Sequence, residues 1–232
     1  MRHIDDLLDG IEAEHERGYK PPLQIRGPVK TDAELAAIAA AEREAEAAKV
    51  RTWIGSQRPL VMQCDPDDDM RPHVAQVAAW AALDRPGRLG IAGPTGTGKT
   101  WLAWQAAELY FTANPDRWKE GTGTLVFWRV ATGELPDQAR TCRLLIIDDL
   151  GQEPGGTQHA VVTFRSQLLD VVDWRYDRGL SSVFTTNLGG SRKAPWRNED
   201  KETILDRYGA PVWSRIKPST FVDVQGNDRR KR

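Results

Sequence analysis

The residues from Gly93 to Thr100 have the types and the spacing needed to bind a phosphate chain. They read Gly-Pro-Thr-Gly-Thr-Gly-Lys-Thr and fit the pattern GxxxxGK followed by Ser or Thr, between an apolar run and a helical pattern. Glycines let backbone N–H groups converge on phosphate oxygens, and the helix N-terminus adds partial positive charge. In this chemistry Lys99 reaches the β- and γ-phosphates, and the Thr100 hydroxyl holds Mg²⁺. The predicted ATP-binding residues are Gly93, Pro94, Thr95, Gly96, Thr97, Gly98, Lys99 and Thr100; a glycine-rich turn that binds nothing is the alternative.

Two adjacent carboxylates follow a second apolar run. Leu144–Ile147 reads as a buried strand, and Asp148 and Asp149 come directly after it. Acids at the carboxyl end of a strand indicate a site, because ligands of parallel α/β sheets bind at that edge. Asp148 is placed to bind the Mg²⁺ shell, and Asp149 is the candidate for orienting or deprotonating the attacking water. An acidic turn is the alternative, since Asp-Asp-Leu-Gly is also good turn chemistry.

A third apolar run, Ser182–Thr185, also leads to a polar residue, Asn187. In nucleotide hydrolases with a phosphate-binding loop like Gly93–Thr100, here called the cradle, a strand of this kind lies between two others. One is the strand before the cradle (the cradle strand), and the other is the strand that precedes Asp148 and Asp149 (the acidic strand). Asn187 could then form a hydrogen bond with the γ-phosphate or with the attacking water. Its rival role is that of a turn cap before Gly189-Gly190.

The elements that must position these residues alternate along the chain from about residue 70. The predicted strands are Arg88–Ala92, Thr124–Val130, Leu144–Ile147, Ser182–Thr185 and Phe221–Val224. The predicted helices are Val74–Leu83, Lys99–Phe111, Val161–Tyr176 and Lys201–Arg207. This alternation predicts an α/β fold with a mainly parallel sheet covered by helices on both faces.

The first 55 residues form a different region, rich in charge and in alanine. Thr31–Glu34 reads as a capping box that starts a helix over Leu35–Val50, and Gly55 is expected to break the region. The helix has few large apolar side chains, so we expect an exposed arm or a partner-binding element rather than part of a core. We therefore assign residues 1–55 to a helical arm and 56–232 to the phosphate-binding domain.

Composition excludes several classes of protein. The formal net charge of the 232 residues is −1, so no global basic field draws the chain to nucleic acid. Cys64 and Cys142 lie far apart and the four histidines are scattered, which predicts neither a disulfide scaffold nor a zinc site. The sequence has no apolar run long enough to span a membrane, and its N-terminus lacks the apolar core of a signal peptide. We expect a soluble, cytoplasmic protein.

Taken in order, these motifs resemble those of the AAA+ helicase-loader and transposition-helper ATPases of the DnaC, DnaI and IstB types. The resemblance rests on the cradle and on Leu144–Gly151, Leu169–Tyr176 and Ser182–Leu188, and it covers about residues 70–230. It implies a P-loop NTPase fold of the AAA+ type with little or no C-terminal lid. It also implies Mg²⁺-dependent ATP hydrolysis that self-assembly stimulates. The short segment before the acidic strand, Ala131–Arg143, indicates a compact variant of the family, which would suit a phage origin.

The resemblance assigns roles to further residues. Asn187 matches the family's sensor-1 position, and Arg215 matches the arginine finger, which acts on ATP bound to the neighbouring subunit. Arg207 competes with Arg215 for that role. Gly226–Arg230 is similar to the closing Gly-x-Asp-x-Arg, which puts Arg230 at the sensor-2 position. A finger from the next protomer neutralises charge on the transferred phosphoryl group, so the resemblance implies a homo-oligomer with the ATP site at its subunit interface.

Two segments bear on single-stranded DNA as a partner. Replication initiators and loaders carry a DNA-gripping helical insertion before the acidic strand, where this chain has only the 13 residues Ala131–Arg143. That length leaves room for a turn and a short helix, which argues against gripping by the usual element. The loop Arg192–Arg197 pairs Trp196 with three cations. Its composition suits stacking on unpaired bases, a protein interface or a solvated loop equally well.

These observations predict an ATP-dependent assembly factor that loads a replicative DNA helicase, with residues 1–55 as the helicase-binding arm. An IstB-like transposition helper shares every motif and is the first alternative. A P-loop kinase is a second, although the acidic pair and the Asn187 tip argue against it. An adaptor that binds ATP as a clamp without hydrolysing it is a third, because Asp149 stands where glutamate is common among AAA+ ATPases.

Overall fold

The structure, a computed structural model, describes residues 30–62, 67–118, 123–153, 158–188, 202–226 and 228–229. The chain divides into two units, residues 1–41 and residues 42–232. In the described part of the first unit, helix α1 (Asp32–Gln57) begins. The Thr31 hydroxyl accepts a hydrogen bond from the N–H of Glu34, and the Glu34 carboxylate accepts one from the N–H of Thr31. The predicted capping box is therefore confirmed.

Within the described residues, five parallel strands form one sheet. They are β1 (Arg88–Ala92), β2 (Leu125–Arg129), β3 (Leu144–Leu150), β4 (Ser181–Thr186) and β5 (Thr220–Asp223), in the order β2-β3-β4-β1-β5. Nearly every residue of β3 and β4 is buried, as strands covered on both faces require. β4 lies between β1 and β3, as predicted. The carboxyl ends of the cradle strand, the Asn187 strand and the acidic strand are consequently neighbours.

Alternate residues of β3 face two separate core clusters. Leu144 and Ile146 pack with side chains of α1, α2 (Arg71–Ala81) and α3 (Lys99–Ala113). Leu145 and Ile147 pack with α4 (Gln158–Asp177) and α5 (Ile204–Ile216). Because successive side chains of a strand point to opposite faces, helices cover both sides of the sheet, which confirms the predicted α/β architecture. Within the described ranges, every helix is too short or too polar to serve as a transmembrane segment.

The carboxyl-terminal half of α1 packs into the core of the second unit, contrary to the expectation of an exposed arm up to residue 55. Ala47, Val50 and Ile54 are buried, and Val50 and Ile54 contribute to the cluster that covers one face of the sheet. These side chains recur at intervals of three and four residues, so they form one stripe although the helix as a whole is apolar-poor. The helix also continues through Gly55 without a break.

Helix α5 (Ile204–Ile216) consists of two short helical segments, and the predicted helix Lys201–Arg207 overlaps only the first of them. Gly209, whose φ of 81° and ψ of 169° are not helical, forms a kink between them, and the second segment contains Pro211 and ends at Ile216. The positive φ of Gly209, which glycine adopts without steric cost, interrupts the helix, and proline, which has no N–H to donate, is tolerated in the first turn of the helical segment that follows. Apolar side chains at intervals of four residues continue the buried face beyond the kink; they are Tyr208, Val212 and Ile216.

The sequence patterns favoured the core for four of the nine tryptophans. Trp101, Trp104 and Trp128 are buried, as expected. Trp174 on α4 is 39% exposed, and the guanidinium carbon of Arg178 lies 3.3 Å from its ring centroid. The prediction for Trp174 is therefore wrong, because the ring falls beside the buried stripe of α4 and not within it.

A buried arginine on α4 holds the segment that leads into β3. The guanidinium of Arg175 donates to the carbonyl oxygens of Ala139 and Cys142 at 3.1 and 2.8 Å, and also to that of Ser181. Its Nε donates to the Ser182 hydroxyl at 2.8 Å. Burial lowers the pKa of Arg175, but the bound oxygens offset much of the cost of removing the cation from water.

Replacing Arg175 with Met should destabilise the fold. The variant keeps an unbranched side chain of similar length but leaves buried carbonyl groups without donors, so we expect the free energy of unfolding to fall by about 3 kcal/mol. A urea titration followed by tryptophan fluorescence measures the change. The matched control is Arg178→Met, which alters an exposed arginine on the turn directly after the same helix. Equal losses in the two variants would contradict this account of Arg175.

Candidate functional site

The predicted phosphate cradle, Gly93–Thr100, lies at the carboxyl end of β1 and runs into α3. The φ angles of Gly93, Gly96 and Gly98 are 151°, 83° and 98°. A Cβ added at Gly93 would lie 2.1 Å from the Val224 carbonyl oxygen, and one at Gly96 would lie 2.0 Å from a carboxylate oxygen of Asp228. Both the backbone conformation and the close neighbours therefore require glycine here. This loop geometry can turn successive N–H groups toward one anion.

Lys99 is the first residue of α3, and its ammonium group reaches back into the cradle. The side chain is 5% exposed, and Nζ donates to the Pro94 carbonyl oxygen at 2.7 Å. The Thr97 hydroxyl donates to the same oxygen at 3.0 Å. A phosphate oxygen in the cradle would offer the ammonium group a charged acceptor, and charge-assisted hydrogen bonds are about twice as strong as neutral ones. The structure thus places the ammonium group of Lys99 within the cradle, and its contact with phosphates stays a prediction.

The carboxylate of Asp148 joins three elements at the edge of the sheet. Its Oδ1 accepts hydrogen bonds from the hydroxyl groups of Thr100 on α3, at 3.0 Å, and Thr185 on β4, at 2.8 Å. Its Oδ2 is buried without a hydrogen-bond partner. The Nε of Arg129, at the end of β2, lies 3.8 Å from that oxygen. Burial first, and then the charge of Asp149, raise the pKa of Asp148 more than its hydrogen bonds lower it.

The residues around Asp148 fit a magnesium ion. A hard cation prefers carboxylate and hydroxyl oxygens, and here the Thr100 hydroxyl and the Asp148 carboxylate are already in contact. The buried Oδ2 without a hydrogen-bond partner is a ligand that a cation would satisfy. Asp148 and Thr100 are therefore brought together as the sequence predicted.

Asp149 directly follows Asp148 and breaks the regular geometry of β3. Among the described residues other than glycine, Asp149 alone has a positive φ, 59°. The pairing of β3 with β4 also shifts register between Ile147 and Leu150. Aspartate tolerates this conformation better than most residues. The N–H of Asp149 donates to the Thr185 hydroxyl at 2.9 Å. The chain thus turns at Asp149, whose role in orienting the attacking water stays a prediction.

Asn187 contacts the cradle directly. Its Nδ2 donates to the Thr95 hydroxyl at 3.2 Å, while its Oδ1 is buried without a hydrogen-bond partner. The tip of β4 therefore holds Thr185 against the acidic strand and Asn187 against the phosphate loop. This contact brings together two residues that are 92 positions apart in the sequence.

Arg215 lies near the amino ends of the strands, opposite the carboxyl ends where the cradle lies. Its Nε donates to Asp173 Oδ1 at 2.5 Å, and its guanidinium carbon lies 4.9 Å from the ring centroid of Tyr176. Arg88, the first residue of β1, lies 5.0 Å from the same centroid. From Arg88 the strand covers about 13 Å, at roughly 3.3 Å per residue, before the cradle begins. The structure therefore does not bring Arg215 to the phosphate loop of its own chain.

Arg207, the competitor of Arg215, lies elsewhere. Its guanidinium donates to Glu153 at 2.9 and 2.5 Å and to Glu202 at 2.7 Å, so two carboxylates hold it within its own subunit. Arg230 and Trp196, which the sequence analysis singled out, lie outside the described residues.

Three residues beside Asp148 and the cradle, at the carboxyl ends of the strands, were not predicted from the sequence. They are Thr185, Arg129 and Arg229, whose backbone N–H donates to the Gly96 carbonyl oxygen at 2.9 Å. A hydroxyl near the end of a buried strand was a usable signal for Thr185. The position of Arg129 depends on a strand register that pairs it with Asp148, and no local pattern reveals that pairing.

Replacing Asp148 with Asn should stabilise the nucleotide-free protein at neutral pH. A carboxyl whose pKa is raised by folding stabilises the fold in its protonated form, and this contribution is lost as the pH rises through the folded pKa. Asn keeps an oxygen for Thr100 and Thr185 and removes the charge. We therefore expect a gain in Tm that is larger at pH 8 than at pH 5, each 1 kcal/mol giving about 2–4 °C.

Thermal unfolding at the two pH values, without nucleotide or Mg²⁺, measures this effect. Asp137→Asn, at an exposed position in the segment before β3, is the control and should leave Tm nearly unchanged at both pH values. A lower Tm for Asp148→Asn at pH 8 would contradict the account.

The fold and the site can be compared with solved structures. The structure of DnaI matches with a TM-score of 0.51 and 17% identity, over 74% of this chain and 94% of the DnaI chain. The DnaC helicase loader matches with a TM-score of 0.50 and 18% identity, over 70% of this chain and 93% of the DnaC chain. No family model matches the chain, and no curated protein matches its sequence. The chain therefore has the α/β fold of DnaI and DnaC, with its parallel sheet covered by helices on both faces.

Proposed function

We propose that this protein binds and hydrolyses ATP and uses the nucleotide cycle to load a replicative DNA helicase. The observation that carries the proposal is the convergence of three strand ends on one site. The cradle follows β1, Asp148 lies on β3, and Thr185 and Asn187 at the end of β4 connect the two through hydrogen bonds. Ligands of parallel α/β sheets bind at this edge.

Each residue has a defined task in the proposed reaction. The N–H groups of Gly93–Thr100 and the ammonium group of Lys99 bind the phosphate chain, and Asp148 and Thr100 hold Mg²⁺, which supplies charge neutralisation at the phosphates when bound. Asp149 accepts a hydrogen bond from the attacking water and orients it. Asn187 releases Thr95 and donates to the γ-phosphate or to the water.

In this proposal Arg215 acts on ATP bound to a neighbouring subunit. Its location beside Asp173 and Tyr176, remote from its own cradle, supports a role between subunits. Head-to-tail association brings one surface of a subunit against a different surface of the next, so a residue at one edge of the sheet can serve the neighbour's site. Hydrolysis would then depend on assembly.

The helicase is the proposed partner because DnaC, whose fold this chain shares, is a helicase loader. The first unit, residues 1–41, is the proposed contact with it, since the side chains of α1 that are described before Ala47 are not buried. An IstB-like transposition helper is the alternative that the same sequence motifs allow. A protein that binds ATP without hydrolysing it is a further alternative, which the measurement of ATP turnover described next would reveal.

ATP turnover per subunit should rise with protein concentration. We expect Arg215→Ala to lower the turnover of the assembled protein by about 10³-fold or more, the loss typical of an arginine finger. The control is Arg178→Ala, an exposed arginine on the turn after α4, which should leave turnover unchanged. Phosphate release measured over a range of protein concentrations gives both results. Tight ATP binding without phosphate release would reject the hydrolytic part of the proposal and support the clamp.

Removal of residues 1–41 should abolish helicase binding while leaving ATP binding intact. A deletion to residue 55 would be a poor test, because it removes the buried Val50 and Ile54 together with the proposed contact. Purified hexameric replicative helicase and the full-length and shortened proteins can be compared by size-exclusion chromatography. Equal binding by the two proteins would reject the proposed contact, and binding to a transposase in place of the helicase would favour the transposition helper.

A further inference from the structure

Arg229 lies against the outer side of the phosphate cradle. Its backbone N–H donates to the Gly96 carbonyl oxygen at 2.9 Å, and its Nε donates to the Thr97 carbonyl oxygen at 3.1 Å. A loop that turns its N–H groups toward a bound anion directs its carbonyl groups away from it. Arg229 therefore occupies acceptors on the side of the cradle that faces away from the phosphates.

The same guanidinium group reaches the segment that enters α2. Its Nη1 pairs with Asp67 Oδ2, and its Nη2 lies 4.0 Å from Asp69 Oδ2. The other oxygen of Asp67 accepts a hydrogen bond at 3.2 Å from the N–H of Met70, the residue before α2. The side chains of Arg229 and Asp67 are 19% and 35% exposed, and salt screens such partly buried pairs less than exposed ones.

Direct packing accompanies these polar contacts. A Cβ added at Gly98 would lie 3.4 Å from Met70 Cε and 3.5 Å from Arg229 Cδ. The carboxylate of Asp228 occupies the space beside Gly96, as described above. The cradle, the start of α2 and the segment Asp228–Arg229 thus form one packed layer.

We propose that the Asp67–Arg229 ion pair is a clamp that preorganises the phosphate cradle, so that ATP affinity depends on the segment that enters α2. This inference rests on the proposed function, since it concerns how the same cradle holds ATP. A glycine-rich loop loses much conformational freedom when it is ordered. If the clamp orders the loop before ATP arrives, binding does not have to supply that cost. Arg229 is in this account a positioning residue that acts through the cradle backbone.

The clamp makes a prediction that a direct contact between Arg229 and ATP does not make. Arg229→Gln and Asp67→Asn should each weaken binding of a fluorescent ATP analogue, with Mg²⁺ present, by at least about 5-fold. The double variant should bind no more weakly than Arg229→Gln alone, because both changes break one interaction. Amide hydrogen exchange of residues 94–99 in the nucleotide-free protein should be faster in all three variants.

If Arg229 instead contacted the phosphates directly, Asp67→Asn would release the cation and would strengthen or preserve ATP binding. That result, or exchange rates equal to those of the unaltered protein, would overturn the clamp. The control is the neighbouring exposed ion pair between Asp68 and Arg71, at 3.3 Å, where Asp68→Asn should leave the dissociation constant unchanged.

A parallel measurement on Lys99→Ala separates the two proposals. Loss of binding in Lys99→Ala together with unchanged binding in Arg229→Gln would overturn the clamp and leave the ATP site standing. Unchanged binding in Lys99→Ala would reject the proposed ATP site itself.

Discussion

The burial of one carboxylate, that of Asp148, is the constraint on which the rest of the site depends. Removing a charge from water is costly unless other groups compensate for it. Two hydroxyl groups serve one oxygen of Asp148, while the other lacks a hydrogen-bond partner and lies 3.8 Å from Arg129. The incomplete compensation costs stability in the nucleotide-free state and leaves a ligand oxygen ready for a cation. Sites of this kind commonly exchange stability for binding.

The strand order follows from the same requirement. Thr185 can donate to Asp148 while Asn187 donates to Thr95 only because β4 lies between the acidic strand and the cradle strand. In the register of the sheet, Thr185 is opposite Ile91 of β1, close to the start of the cradle. A shift of β4 by one residue would turn both polar side chains to the wrong face. Core packing on both faces of the sheet therefore also sets the geometry of the site.

Much of the fold and of the candidate site could be predicted from local patterns. The cradle, the acidic pair and the Asn187 tip each follow a continuous apolar run, so the sequence pattern singled them out as candidates, and the family resemblance added the role of Asn187. Residues whose position depends on distant packing were missed. Arg129 and Arg229 reach the site through strand register and through the path of the segment after β5. The buried half of α1 was missed because its stripe consists of few apolar side chains among many alanines and charges. The second helical segment of α5 was missed because Gly209 and Pro211 ordinarily mark the end of a helix, as Gly209 does here for the first segment.

The two outer strands of the described sheet, β2 and β5, contain five and four residues. Each leaves a short row of backbone groups for a strand from another molecule to pair with, and short borders of this kind protect proteins from open-ended aggregation. Association by continuing the sheet would therefore be weak. Any assembly of such subunits would have to be held by helix and loop surfaces, whose contacts can be released and remade without breaking a shared ladder of backbone hydrogen bonds.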